Sequence, residues 1–76
     1  MTRLENEILQ SLYDYYQDTN SRQAQLDYPR DNKEKSEYLK AISNLVDDGY
    51  IEELHGAIGF VVIKITPWGI NYLENS

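Results

Sequence analysis

Leu45-Val46-Asp47-Asp48-Gly49-Tyr50-Ile51 decides the fold, because the apolar pattern changes its period inside this phrase. Before it, Tyr38, Leu39, Ile42, Leu45 and Val46 recur at three- and four-residue steps, which gathers them into one stripe over about three helical turns. Gly49 stands where a left-handed residue ends a helix, and Tyr50 stands where a Schellman cap brings a hydrophobic contact back onto Leu45. Asp31 with Glu34 has the capping-box spacing at the other end, so the helix runs from about 32 to 48. Beyond Gly49, Tyr50–Leu54 and Phe60–Ile65 read as two strands joined by His55-Gly56-Ala57-Ile58-Gly59, a hairpin whose two glycines suit a tight turn. In the second strand Val61, Ile63 and Ile65 share one face, and Phe60, Val62 and Lys64 share the other.

A second phrase closes the chain. In Ile65-Thr66-Pro67-Trp68-Gly69-Ile70-Asn71-Tyr72-Leu73, Thr66 reads as a helix cap with Pro67 at the first helical position, followed by Trp68, Ile70, Tyr72 and Leu73. Trp68, so close to a helix start, reads as a core anchor. At the other terminus Thr2 and Glu5 form a capping-box pair, and Leu4, Ile8, Leu9, Leu12, Tyr15 and Tyr16 make the core face of a helix ending near Gln17. Tyr13, Tyr15 and Tyr16 at helical spacing read as core or core edge rather than as a stacking surface for bases. Between the helices, Asp18-Thr19-Asn20-Ser21 is loop chemistry. Ala24, Leu26 and Tyr28 then alternate with polar residues as a strand would, although Ala24 and Tyr28 also fit one helix face, and Pro29 ends either element.

The whole chain, 1–76, is short enough for one domain, near the size at which folding buries only about 60% of the unfolded surface. A dimer interface would help such a domain. Hydrophobic residues at 41% are enough for a core, and two prolines and four glycines argue against disorder. The absence of cysteine excludes disulfides, thiolate metal sites and a cysteine nucleophile. Charged residues directly after Met1 do not form a signal peptide, and the longest apolar run, Phe60–Ile63, is far too short to span a bilayer. The expectation is a cytoplasmic protein with no membrane partner.

The two phrases together resemble small bacterial and prophage winged helix-turn-helix proteins, in which a "leu-x-x-x-gly-tyr-ile" phrase ends the recognition helix and a "leu-thr-x-x-gly-x-x-tyr-leu" phrase opens the helix after the wing. Leu45–Ile51 and Ile65–Leu73 match them, and the resemblance covers most of residues 31–74. It implies an α+β fold: a winged helix-turn-helix of three to four helices with a two- to three-stranded antiparallel wing. By analogy it implies DNA binding and transcriptional regulation. The segment 18–30, where such folds normally supply the first helix of the pair, departs from the pattern by being short and thinly apolar.

Charge opposes and then qualifies that implication. The net charge of −6 is the wrong sign for a phosphate-binding domain, since cation contacts and counterion release supply most non-specific affinity. Yet five of the seven basic residues fall within 22–40, against four acidic ones, so positive charge collects where a recognition helix would begin. The candidate DNA-binding residues are Arg30, Lys33, Lys35, Ser36, Lys40, Ser43 and Asn44, with Lys33, Ser36, Lys40, Ser43 and Asn44 near one another on the solvent face. The plainer reading of the same residues is a salt-bridged helix face, which mixed charge at four-residue spacing commonly makes. Glu52 and Glu53 in the hairpin would repel a phosphate backbone.

The alternative is a protein-interaction module, a homodimerising or docking domain that does not bind DNA. The acidic balance, the seven tyrosines, and Phe60 and Val62 on the outward face of the hairpin favour it. A carboxylate array that imitates nucleic acid is not present in regular form. An enzyme is not expected: His55, the sole histidine, lies in a turn with no nucleophile and orienting carboxylate around it, and no phosphate loop, zinc spacing or calcium loop occurs, so no cofactor or metal is expected either.

Overall fold

Three side-chain caps set the helices of the computed structural model, which describes residues 1–75. Thr2, Asp31 and Thr66 each accept a hydrogen bond from the backbone N–H three residues on, at 3.2, 3.0 and 3.0 Å. They open α1 (Arg3–Thr19), α2 (Asn32–Asp47) and α3 (Pro67–Glu74). α1 runs two residues past Gln17 because Asn20, a residue that tolerates the left-handed region, closes it at φ 60° and donates to the Tyr16 carbonyl at 2.7 Å.

α2 ends in a full Schellman motif. Gly49, at φ 81°, donates to the Val46 carbonyl, and Tyr50 donates to the Leu45 carbonyl, both at 3.0 Å. The ambiguous segment 18–30 contains a strand, β1 (Gln23–Asp27), and residues 28–31 lead from it into α2 with no helix between. β1 is stabilised by a partner that its own residues do not announce. It pairs antiparallel with β3 (Phe60–Ile65), placing Ala24 opposite Ile63 and Leu26 opposite Val61. β2 (Ile51–Gly56) pairs on the other side of β3, with a bulge between Glu53 and His55, so the sheet order is β1-β3-β2.

The inner face of the sheet is Ile51, Val61, Ile63 and Ile65, all essentially inaccessible to water. Ile8, Leu9 and Leu12 of α1 and Ala41, Ile42 and Leu45 of α2 complete one core cluster with it, and Tyr38, Tyr50, Ile70, Tyr72 and Leu73 pack around its margin. Several residues assigned to the core from helical spacing sit outside it. Tyr15, Leu39 and Val46 are exposed, because each lies at the edge of its stripe and the sheet covers only the centre.

Trp68 corrects its core-anchor reading most clearly. Gly69 is the buried residue of the first turn of α3, pressed so close to the Tyr50 carbonyl oxygen that a Cβ there would run into it. Its neighbour Trp68 is turned outward and is 59% exposed.

Gly69→Ala is expected to lose about 3 kcal/mol, the upper range for overpacking, because the obstacle is backbone rather than a flexible side chain. Gly49→Ala, which strains one left-handed residue but meets no atom closer than 3.9 Å, should cost about 1 kcal/mol. Urea unfolding of the two variants measures the order, and a larger loss at Gly49 would contradict the close approach at Gly69.

Candidate functional site

α2 buries Ala41, Ile42 and Leu45 against the sheet and α1, which leaves the opposite side of the helix to solvent. Lys33, Ser36, Lys40 and Ser43 are all exposed, and their three- and four-residue spacing places them on one strip about 15 Å long. Arg30 is exposed in the turn that enters the helix. Among the described residues the one ion pair is Arg3–Glu7 on α1, so Lys33, Lys40 and Arg30 make no salt bridge. The salt-bridged face that charge spacing also allowed is not formed. The strip offers ammonium and hydroxyl donors that make no ion pair, with the exposed Glu37 between Lys33 and Lys40, and its donors suit phosphate oxygens or base edges.

Two of the candidate residues leave the strip. Lys35 is half-buried on the side of α2 that faces the hairpin. Its Nζ donates to the Ile58 carbonyl at 3.0 Å and lies 5.5 Å from the centre of the Tyr28 ring. Tyr28 is itself held to the hairpin by its N–H, which donates to the Gly59 carbonyl at 3.0 Å, and it meets Tyr38 edge to face at 6.1 Å. Burial holds both phenols above their ordinary pKa, with Glu53 adding to the effect at Tyr28 and Tyr28 and Asp27 adding to it at Tyr38. The tip of the hairpin is thus tethered to the first turns of α2. Between them lies a depression of about 470 Å³ lined in part by Arg30, Asn32, Lys35 and Ile58.

Asn44 turns toward α1 instead of the solvent face. Its Nδ2 donates to Glu5 Oε2 at 3.2 Å, and Glu5 is the one buried charged residue among those described. The Asn44 amide, reinforced by the hydroxyl and backbone N–H of Thr2, holds the Glu5 carboxyl below its ordinary pKa of 4.5, against the opposing effect of burial. Asn44 therefore serves as a hydrogen-bond link between two helices, on the floor of a groove of about 260 Å³ that also touches Glu37 and Lys40. The Thr2–Glu5 capping spacing was visible in sequence. The burial of Glu5 was not, because its partner stands 39 residues away.

The hairpin contributes little positive charge. Glu52, Glu53 and His55 are exposed, the His55 ring lies 6.4 Å from Phe60, and the tip residue Ile58 is 89% exposed. Among the described residues no group of three His, Asp or Glu side chains converges as a metal site, and no helix is long and apolar enough to cross a membrane.

The Glu5 link gives a pH dependence of defined sign. A carboxyl whose pKa is lowered on folding stabilises the fold above its unfolded value, about 4.5, and that contribution is lost as pH falls through the folded value. Asn44→Ala, which removes the largest cause of the lowering, should raise the Glu5 pKa and cost about 1–3 kcal/mol at neutral pH, the range for a buried acceptor left short of a donor. Its deficit should shrink below about pH 4. Carboxyl NMR titration and urea unfolding across pH check both, and a deficit independent of pH would show that the link is not electrostatic.

No family model matches the chain, and neither the curated proteins nor the solved structures contain a match to it.

Proposed function

We propose that this chain is a small winged-helix DNA-binding protein of the bacterial and prophage kind, acting in transcriptional regulation, with α2 as the helix that enters a major groove and the β2–β3 hairpin as its wing. The observation that carries the reading is the strip of unpaired donors on α2, Lys33, Ser36, Lys40 and Ser43 with Arg30 beside it, in a molecule whose carboxylates lie mostly elsewhere. The Lys35 tether adds to it, since it brings the hairpin tip to the same end of the helix. A major groove about 12 Å wide admits one helix presented in this way. The departure from the usual plan is local: α2 follows β1 directly, so one helix stands where a helix-turn-helix has two.

With Arg30, Lys33 and Lys40 as the phosphate contacts, the logarithm of affinity should fall against the logarithm of salt with a slope of about −3. Lys33→Glu combined with Lys40→Glu should weaken binding at least tenfold and reduce that slope by about two, while the exposed positions leave the fold intact. Fluorescence anisotropy on native-source and random duplexes at two salt concentrations measures this. No binding at low salt would end the DNA reading.

A second reading, a protein-interaction module, is favoured by the net charge of −6 and by Leu39 and Val46, which are 43% and 36% exposed on α2 beside the polar strip. A homodimer formed there would cover apolar surface that a chain of this size otherwise leaves in water. Light scattering of the purified protein tests it: a dimer whose dissociation is promoted by Leu39→Ser supports the reading, and a strict monomer that captures no protein opposes it.

A further inference from the structure

Trp68 is the chain's sole tryptophan, and its ring lies open to solvent on a rigid mount. It stacks on Tyr50 with ring centres 6.4 Å apart and planes within 9°, and Tyr50 in turn meets Tyr72 at 4.9 Å. The backbone on both sides is tied. Thr66 donates its N–H to the Tyr50 carbonyl at 3.0 Å and its hydroxyl to the Gly49 carbonyl at 2.7 Å, and the same hydroxyl accepts from the Gly69 N–H. An exposed aromatic held in this way presents area without an ordering cost.

The chain that passes beside that ring, at the end of α2, is acidic, while the depression at the ring itself is lined by Asn71, Tyr72 and Asn75. The position a Cβ would take on Gly49 lies 3.9 Å from the indole Cδ1, which sets the ring beside the C-terminal end of α2. Asp47 and Asp48 are exposed there, and the last turn of the helix holds no basic residue. Two carboxylates therefore add to the negative end of the helix dipole, an arrangement unfavourable to the helix itself. Among the described residues neither carboxylate has a hydrogen-bond or ion-pair partner, and the one cation–aromatic contact, Lys35 on Tyr28, lies elsewhere. Residues 41–76 as a whole carry five carboxylates against the single cation Lys64.

We propose that the Trp68–Tyr50 face, with Asp47 and Asp48 at its rim, docks a basic segment of a partner protein, an arginine lying flat on the outer indole face and turning its donors to the carboxylates. Guanidinium suits the site better than ammonium because it is planar, stacks on aromatic faces and donates in a fork to carboxylate oxygens. The proposal rests on the protein-docking reading and is independent of DNA. It is also separate from the Leu39–Val46 dimer, so a dimer can exist without it.

The lone tryptophan makes the test direct. Peptides of alternating arginine and glycine, lysine and glycine, and serine and glycine are titrated into the intact protein while Trp68 emission is followed. Saturable change with the arginine peptide, weaker change with lysine and none with serine are expected. By anisotropy of the labelled arginine peptide, Trp68→Ala should weaken binding roughly tenfold and Trp68→Phe less. Asp47→Asn with Asp48→Asn should weaken it severalfold, whereas Asp14→Asn with Asp18→Asn, an equal change in net charge on α1, should alter it less than about twofold. Circular dichroism confirms that each variant is folded. No arginine binding overturns the proposal, as does equal loss in the two aspartate pairs or full affinity in Trp68→Ala, since either would mean attraction to net charge alone. If those results accompany a dimer by light scattering, the docking reading stands and this site does not.

Discussion

The hydroxyl of Thr66 uses both its hydrogen-bonding capacities at once: it accepts from Gly69 to start α3 and donates to the Gly49 carbonyl to close the turn after α2. A helix stop and a helix start, seventeen residues apart in sequence, are thereby one structural unit. Around that contact the Tyr50 carbonyl accepts from the Thr66 N–H, and Gly69 comes close enough to exclude any side chain of its own. β2 and β3 are the two strands between these points, so the junction joins the start of one to the end of the other. The exposure of Trp68 follows from this junction, since Gly69 takes the buried place beside it.

Most of the elements were legible in the residues because their signals are local. Thr2, Asp31 and Thr66 cap as their spacing with the following residues implies, Gly49 takes the left-handed conformation that a Schellman stop needs, and the alternation of Val61, Ile63 and Ile65 gives the buried face of β3. What stayed hidden depends on distant partners. Ala24, Leu26 and Tyr28 alternate as a strand does, yet Ala24 and Tyr28 also fit one helix face, and the choice is made by β3 lying beside them. The orientation of Trp68 follows from the fit of Gly69 against Tyr50. Asn44 looked like a surface residue because nothing near it in sequence implies a buried carboxylate on α1. Of the candidate site, the strip from Lys33 to Ser43 could be read from helical period alone, whereas the bond from Lys35 to a hairpin carbonyl could not.

The charges on α2 run against the preference of an isolated helix at both ends. Lys33 and Lys35 stand in the first turn, where the dipole is positive, and Asp47 and Asp48 close the last, where it is negative. At the start, the Asp31 cap and Glu34 offset part of the conflict. At the end nothing does. Local stability would favour other residues at these positions, and conflicts of this kind are where molecules spend stability on contacts with something outside themselves. The two ends of one helix thus carry exposed charge of opposite sign, cationic at Lys33 and anionic at Asp47 and Asp48.

The strand order β1-β3-β2 has a consequence for the order of events in folding. The central strand is the last of the three to be synthesised, so neither edge has a partner until residues 60–65 are available. The β2–β3 hairpin closes over a short loop, while the nearest β1–β3 pair, Asp27 with Phe60, closes over α2 and β2. Closing the longer loop costs more chain entropy, so the hairpin is the more local of the two pairings. A chain cut before Phe60 keeps helices with apolar stripes and both edge strands but lacks the strand that joins them.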